Sequence, residues 1–400
     1  MKHPFRGLVG ALAAVGALSV MFPGPAVLAQ GTDIVIGRTV PMTSKVLGRD
    51  VNVQVSMPEG YDAGTARYPV LYVLNGAFTF GYEHGVVQVL SRLQAIPGMI
   101  VVGVPGFDDG GYVPTPFEQR GETPTAVDRS IRFLKEELIP FVDKNYRTNP
   151  FRILYGHSVG GLFTISTMFN APDLFSGYIA GSPWFQVNDG YWLKNVDKLA
   201  KERALDGKLL FMTVGKGEAD LTIETFRGLE KWFDATPLSG LTRKSAWVEG
   251  DHGTMVGRNT YDGLQFIFDG WKLPDALLRT ADIEKIEAAL AAGTARWKKY
   301  GFEDTDLLSE VRVNALGYQL LNRGAQNEAV RILAYNVRRF PKSFNALDSL
   351  AEAYMVSGDR DSAVKYYRLA VAGNPGDSDY AKRVLANSKA KLKELGAEEP

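Results

Sequence analysis

Four short runs, YPVLYVLNG (68–76), GMIVVGVPG (98–106), FRILYG (151–156) and KLLFMTVG (208–215), are apolar almost residue by residue, and each ends in glycine. A strand covered on both faces reads this way, whereas a strand with one wet face alternates. Between the second and third runs lies TAVDRSIRFLKEELIPFVDKNY, with Ile131, Leu134, Leu138 and Phe141 at helical spacing. Strands alternating with helices predict an α/β domain over residues 33–272 with a central, mostly parallel sheet. The earlier stretch RDVNVQVSMPEGY alternates apolar and polar residues, which predicts an antiparallel strand at the sheet edge.

The third run leads into Gly156-His157-Ser158-Val159-Gly160-Gly161, which fits G-x-S-x-G. Flanking glycines let a strand and a helix approach closely around a tight turn, so a serine held there projects its hydroxyl from the sheet edge. LFTISTMF follows, apolar nearly all round, as a buried helix should be. Ser158 is therefore the candidate nucleophile; the plainer alternative is a small polar residue in a Gly-rich bend.

A serine needs a base, and the chain has four histidines. His3 lies at the extreme N-terminus and His157 adjoins the serine, which leaves His84 and His252. His252, in WVEGDHGTM after the last strand-like run, comes late enough for the order Ser, acid, His. His84, in FTFGYEHGVV, is read as lying in the loop after the first central strand, at a cavity rim or on the surface.

The orienting acid is expected just past a strand end, and FMTVGKGEADLT supplies two. Glu218 is the first choice and Asp220 the alternate; a Ser–His dyad without an acid stays open. The oxyanion would be held by the main-chain N–H of Val159 and of Ala77 in LNGAF. In YIAGSPWF, Trp184 and Phe185 are candidates to line an acyl or aromatic pocket, while Trp192 reads as core.

The rest of the chain bounds these expectations. Equal numbers of acidic and basic residues, 45 each, point to neither nucleic acid nor an anionic membrane as the main partner. There is no cysteine and no H-E-x-x-H, so no thiolate metal site or disulfide can form, and no metal or other cofactor is implied. Lys2 and Arg6, the stretch GLVGALAAVGALSVMF and a small-residue end predict a secretory signal over residues 1–29, cut after Ala29, and a periplasmic or secreted location.

After WKLPDALLR the strand signals stop. Leu316 and Leu350, Gly324 and Gly358, Ala329 and Ala363, and Pro341 and Pro375 are matched pairs at a thirty-four-residue period. Residues 276–400 resemble an all-α tetratricopeptide-repeat domain, with DSDYAKRVLANSKAKLKEL as a capping helix. Such a domain could dock a protein partner, fold over the cleft or pack rigidly on its neighbour.

YPVLYVLNG, FLKEELIPFVDKNYRTNPFRILYGHSVGGLF, PDLFSGYIAGSPWF and GDHGTM together resemble the esterase-D-like branch of the α/β-hydrolases, over residues 33–272 and in the family's order. That branch includes siderophore esterases, feruloyl esterases, S-formylglutathione hydrolase and mycolyl transferases. The resemblance implies an α/β-hydrolase fold and a serine hydrolase acting on a small-molecule or glycan-linked carboxylic ester, which the N-terminal signal pattern would export. It implies Ser158 as nucleophile, His252 as base and the acid at Glu218. Acyl transfer by the same nucleophile and a binding scaffold are the alternatives. Two departures stand out: Asn75 replaces the usual Asp before the strand-loop glycine, and GFDDGGYVPTPF lacks the arginine that many members carry ahead of Thr-Pro.

Overall fold

The computed structural model describes residues 33–62, 64–74, 76–105, 126–186, 190–200, 205–274, 276–277, 282–302 and 310–398. Residues 1–29, Asn75 and the GFDDGGYVPTPF segment, on which expectations were placed, lie outside them.

Eight strands form one sheet: β1 (Arg38–Ser44), β2 (Arg49–Ser56), β3 (Tyr68–Val73), β4 (Ile100–Gly103), β5 (Thr148–His157), β6 (Gly177–Gly181), β7 (Leu209–Gly215) and β8 (Thr242–Val248), in the order β1-β2-β4-β3-β5-β6-β7-β8. All pairings from β4 to β8 are parallel; only β1–β2 and β2–β4 are antiparallel. The alternating stretch was expected at the edge, but β2 is second from it. β1 covers β2, pairing Pro41 with Asn52, and carries the edge. A proline is tolerated there because an edge strand need not donate every N–H.

The apolar runs are continuous because successive side chains enter different cores. In β3 and the residue after it, Val70, Tyr72 and Leu74 pack on one face with Phe133, Leu134 and Leu162. Leu71 and Val73 pack on the other face with Leu90, Leu264 and Ile267. The covering helices are α1 (Gly76–Arg92), α2 (Ala126–Arg132), α3 (Ile139–Asn145), α4 (Val159–Asn170), α5 (Tyr191–Ala200), α6 (Asp220–Ala235) and α7 (Val256–Ile267). A π-helical segment, Phe133–Leu138, joins α2 to α3.

Among the described residues, the longer helices that follow are α8 (Ile283–Lys298), α9 (Glu310–Asn322), α10 (Gln326–Arg339), α11 (Phe344–Ser357), α12 (Arg360–Gly373) and α13 (Asp379–Glu394). The starts of α9 and α11, and of α10 and α12, are thirty-four residues apart. All of these belong to the same compact unit as the sheet, Ile36–Pro400. Trp297 of α8 is buried with Phe151, at the start of β5, and Phe268, with ring centroids 6.0 and 5.2 Å away. Phe302 joins that cluster, and Tyr300 donates to the Gly207 carbonyl at 2.9 Å, just before β7. In α9, Arg312 donates to the Trp271 carbonyl at 2.8 Å. These contacts lie at the starting edge of the parallel strands. Among the described residues, none of these contacts is at the edge from which Ser158 emerges.

Candidate active site

Parallel strands with helical crossovers send their following turns to one edge, where α/β folds assemble sites. Ser158 follows β5, Ser182 and Trp184 follow β6, Glu218 follows β7 and His252 follows β8.

Ser158 caps the N-terminus of α4 with φ 58° and ψ −119°, on the side of backbone space that L-residues avoid. Its surroundings over-determine the turn. Its N–H donates to the Gly181 carbonyl at 2.9 Å, and its own carbonyl accepts from Trp184 N–H at 3.0 Å and Leu162 N–H at 3.1 Å. Gly156 is obligatory beside it, since a Cβ there would overlap the Gly160 carbonyl.

The structure brings three of the anticipated side chains into line. His252 Nε2 lies 3.0 Å from Ser158 Oγ, and His252 Nδ1 lies 2.9 and 3.1 Å from the two Glu218 oxygens. The Glu218 side chain is 2% exposed, against 46% for the imidazole, so the carboxylate faces the interior and the imidazole faces the cleft. Asp220 is elsewhere: it is the first residue of α6, exposed to solvent. Val159 opens α4 and Ala77 is the second residue of α1. Because β3 and β5 are parallel neighbours, with Val73 opposite Tyr155, both helix N-termini emerge side by side. First-turn N–H groups lack intrahelical partners and suit a developing anion.

A cleft of about 480 Å³ opens in front of these groups, lined by Ser158, Trp184, Ala219, Thr222, His252 and Gly253. Trp184 is half-exposed at its wall. Phe185, expected beside it, is instead fully buried, packed on Trp192 at 5.4 Å between ring centroids. The tight turn after β6 sends consecutive side chains to opposite sides, so only one aromatic reaches the cleft. His84, expected in a loop, lies within α1, with its Nδ1 3.0 Å from Ser56 Oγ.

Three polar groups went unforeseen. Ser182, fully buried and at φ 40°, donates its hydroxyl proton to Glu218 Oε1 and stands 3.1 Å from His252 Nδ1. Asn259 of α7 is buried with its amide nitrogen 3.3 Å from His157 Nδ1, while its oxygen accepts from Thr213 Oγ1 at 2.6 Å. Burial, together with the neighbouring His252, pushes His157 down to about 4, so its ring stays neutral beside the site. Glu83 of α1 is wholly buried, and burial pushes its carboxyl up to about 8. The only local signals were a serine after a strand end and a lone acid among aromatics, neither of which points at a partner.

A family model described as "Putative esterase" matches residues 44–254, and the chain belongs to that esterase family. Ferri-bacillibactin esterase BesA of Bacillus subtilis (strain 168) is 26% identical over 201 residues, covering 45% of this chain and 69% of that protein. An IroE-like serine hydrolase from Shewanella oneidensis superposes with a TM-score of 0.63 at 20% identity, over 76% of this chain and 99% of the other. An uncharacterised protein from Capnocytophaga ochracea superposes with a TM-score of 0.61 at 17% identity. It covers 88% of this chain and 99% of its own, a share that includes helices beyond Ile283. These two likenesses show the fold. Family membership and the siderophore-esterase relative make the chain a carboxylic ester hydrolase.

Proposed function

We propose that the chain cleaves its ester through an acyl-enzyme, with Ser158 as nucleophile, His252 as base and Glu218 as the acid that orients it. The observation that carries this reading is the continuous path from Ser158 Oγ through His252 to Glu218, with links of 3.0 and 2.9 Å. Ser158 attacks the carbonyl carbon while its proton passes to His252 Nε2; the N–H groups of Val159 and Ala77 hold the oxyanion. Collapse of the tetrahedral species breaks the ester bond, and the imidazolium returns the proton to the leaving alcohol. Water, deprotonated by the same imidazole, then releases the acid and restores Ser158. Glu218 holds the proton on Nδ1, so that Nε2 is free to accept.

The relative that acts on ferri-bacillibactin makes siderophore esters the first substrates to try, with the Trp184 side of the cleft taking the acyl group. Residues 1–29 act as a cleaved signal and the mature chain works in the periplasm or outside the cell; the charged, then apolar, then small-residue order supports this. Residues 33–272 form the hydrolase domain and 276–400 a tetratricopeptide-like domain able to hold a protein partner. The thirty-four-residue recurrence of helix starts supports that repeat class.

Hydrolysis of p-nitrophenyl esters by residues 30–400 and by Ser158→Ala tests the core of the reading. Turnover in the variant should fall by at least about a thousandfold. Equal turnover in both proteins would remove Ser158 from the chemistry.

A further inference from the structure

Among the described residues only Gln94, Ser158 and Ser182 combine a side chain with a positive φ, and two of the three meet at the site. Ser182, at φ 40°, is held there by its own N–H, which donates to the Thr213 carbonyl at 2.8 Å, and by Gly181, whose carbonyl accepts the Ser158 N–H. Those backbone bonds could be made by any residue, and glycine would make them without strain. A serine carried at that cost is a reason to ask what its hydroxyl does.

The hydroxyl is fully buried and has a single proton, which goes to Glu218 Oε1. Its lone pairs are left facing His252 Nδ1 at 3.1 Å. The two carboxylate oxygens, at 2.9 and 3.1 Å, face the same nitrogen. All three oxygens that surround Nδ1 are thus acceptors, and only the tautomer with hydrogen on Nδ1 satisfies them. That tautomer leaves the Nε2 lone pair for the Ser158 proton. Glutamate also has one more rotatable bond than aspartate, so its carboxylate needs an anchor, and the Ser182 O–H is an anchor that does not come from the histidine it serves.

We infer that Ser182 is a positioning residue for ester hydrolysis: its hydroxyl fixes the Glu218 carboxylate and, with it, the tautomer and tilt of His252. The inference rests on the Ser158–His252–Glu218 reading.

The test compares wild type, Ser182→Ala, Ser182→Gly and Ser158→Ala with p-nitrophenyl butyrate across pH, and follows the downfield His252 Nδ1–H proton resonance by NMR. Ser182→Gly keeps the turn without strain, so it remains informative should the alanine variant fold poorly. Both Ser182 variants should lose kcat about ten- to a hundredfold with KM changed less than about twofold. Their Nδ1–H resonance should move or vanish, and the acidic limb of kcat/KM should shift. A folded Ser182→Gly with wild-type kcat, pH profile and resonance would overturn the inference, because the residue would then serve the turn alone. Ser158→Ala separates the two levels. Turnover surviving in it sinks the nucleophile reading and this inference together; turnover lost in it, with unchanged Ser182 variants, sinks this inference alone.

Discussion

The Ser158 carbonyl accepts the main-chain N–H of Trp184 at 3.0 Å, so the turn after β6 clasps the turn that carries the candidate nucleophile. Trp184 gives its backbone to this clasp and its half-exposed indole to the cleft. Trp184→Ala should therefore leave the melting temperature within about 2 °C while raising KM for bulky aromatic acyl esters roughly tenfold. Thermal unfolding and kinetics on a short and a bulky p-nitrophenyl ester check the split.

Gly156→Ala is expected to do the opposite. The new methyl would overlap the Gly160 backbone, which cannot swing aside as a flexible side chain would. The turn must open, carrying Ser158 Oγ away from His252. We expect kcat to fall at least about a hundredfold, with a lower melting temperature, because a small displacement at the reacting atoms is costly.

The two carboxylates after β7 should separate cleanly in kinetics. Glu218→Gln removes the negative charge and replaces one of the two acceptor oxygens facing His252 Nδ1 with an amide donor, and should lower kcat by about a hundredfold or more. Asp220→Asn, exposed in the first turn of α6, should stay within about twofold of wild type, losing only a little helix-dipole stabilisation.

Glu83 predicts a pH dependence of stability. Burial raises its folded-state value from 4.5 to about 8, so the folded chain binds a proton that the unfolded chain releases in this window. Its contribution is complete below pH 4.5 and is lost as pH rises towards 8, with a slope near 1.4 kcal/mol per pH unit from this group. Glu83→Gln should remove that slope and leave the variant the more stable protein at pH 8. Urea titrations of both proteins at pH 5.5, 6.5 and 7.5 give the comparison.

Trp297 ties α8 to the hydrolase core through Phe151, Phe268 and Phe302. Trp297→Ala should cost about 3–5 kcal/mol, the range for emptying a large aromatic site. Calorimetry should show the loss in the transition that unfolds the sheet, since Phe151 belongs to β5.

Much of this was readable from local pattern. Runs such as YPVLYVLNG are apolar at every step because Val70 and Leu71 enter different cores, and that composition survives in a single line of text. Ser158, Glu218 and His252 were legible because strand ends and chain order restrict where such residues stand. β1 was missed since Pro41 and the polar residues around it disguise an edge strand. Ser182 and Glu83 were illegible for a different reason. Ser182 meets Glu218 thirty-six residues away, and the burial of Glu83 follows from how the fold closes around α1; no periodicity encodes either. Phe185 failed because a turn of one residue decides which neighbouring aromatic faces solvent.

The aromatic anchor and the candidate nucleophile stand at the two ends of one strand. β5 runs from Thr148, with Phe151 in the anchor, to His157, one residue before Ser158. Seven residues of extended chain span about 23 Å and stretch very little. The strand is in effect a ruler with its zero set among the helices, and the place of the serine hydroxyl is read off at its far end. Insertions in the loops between helices can alter the outline of this molecule freely, whereas a residue added or removed within β5 would change the reading for every substrate at once.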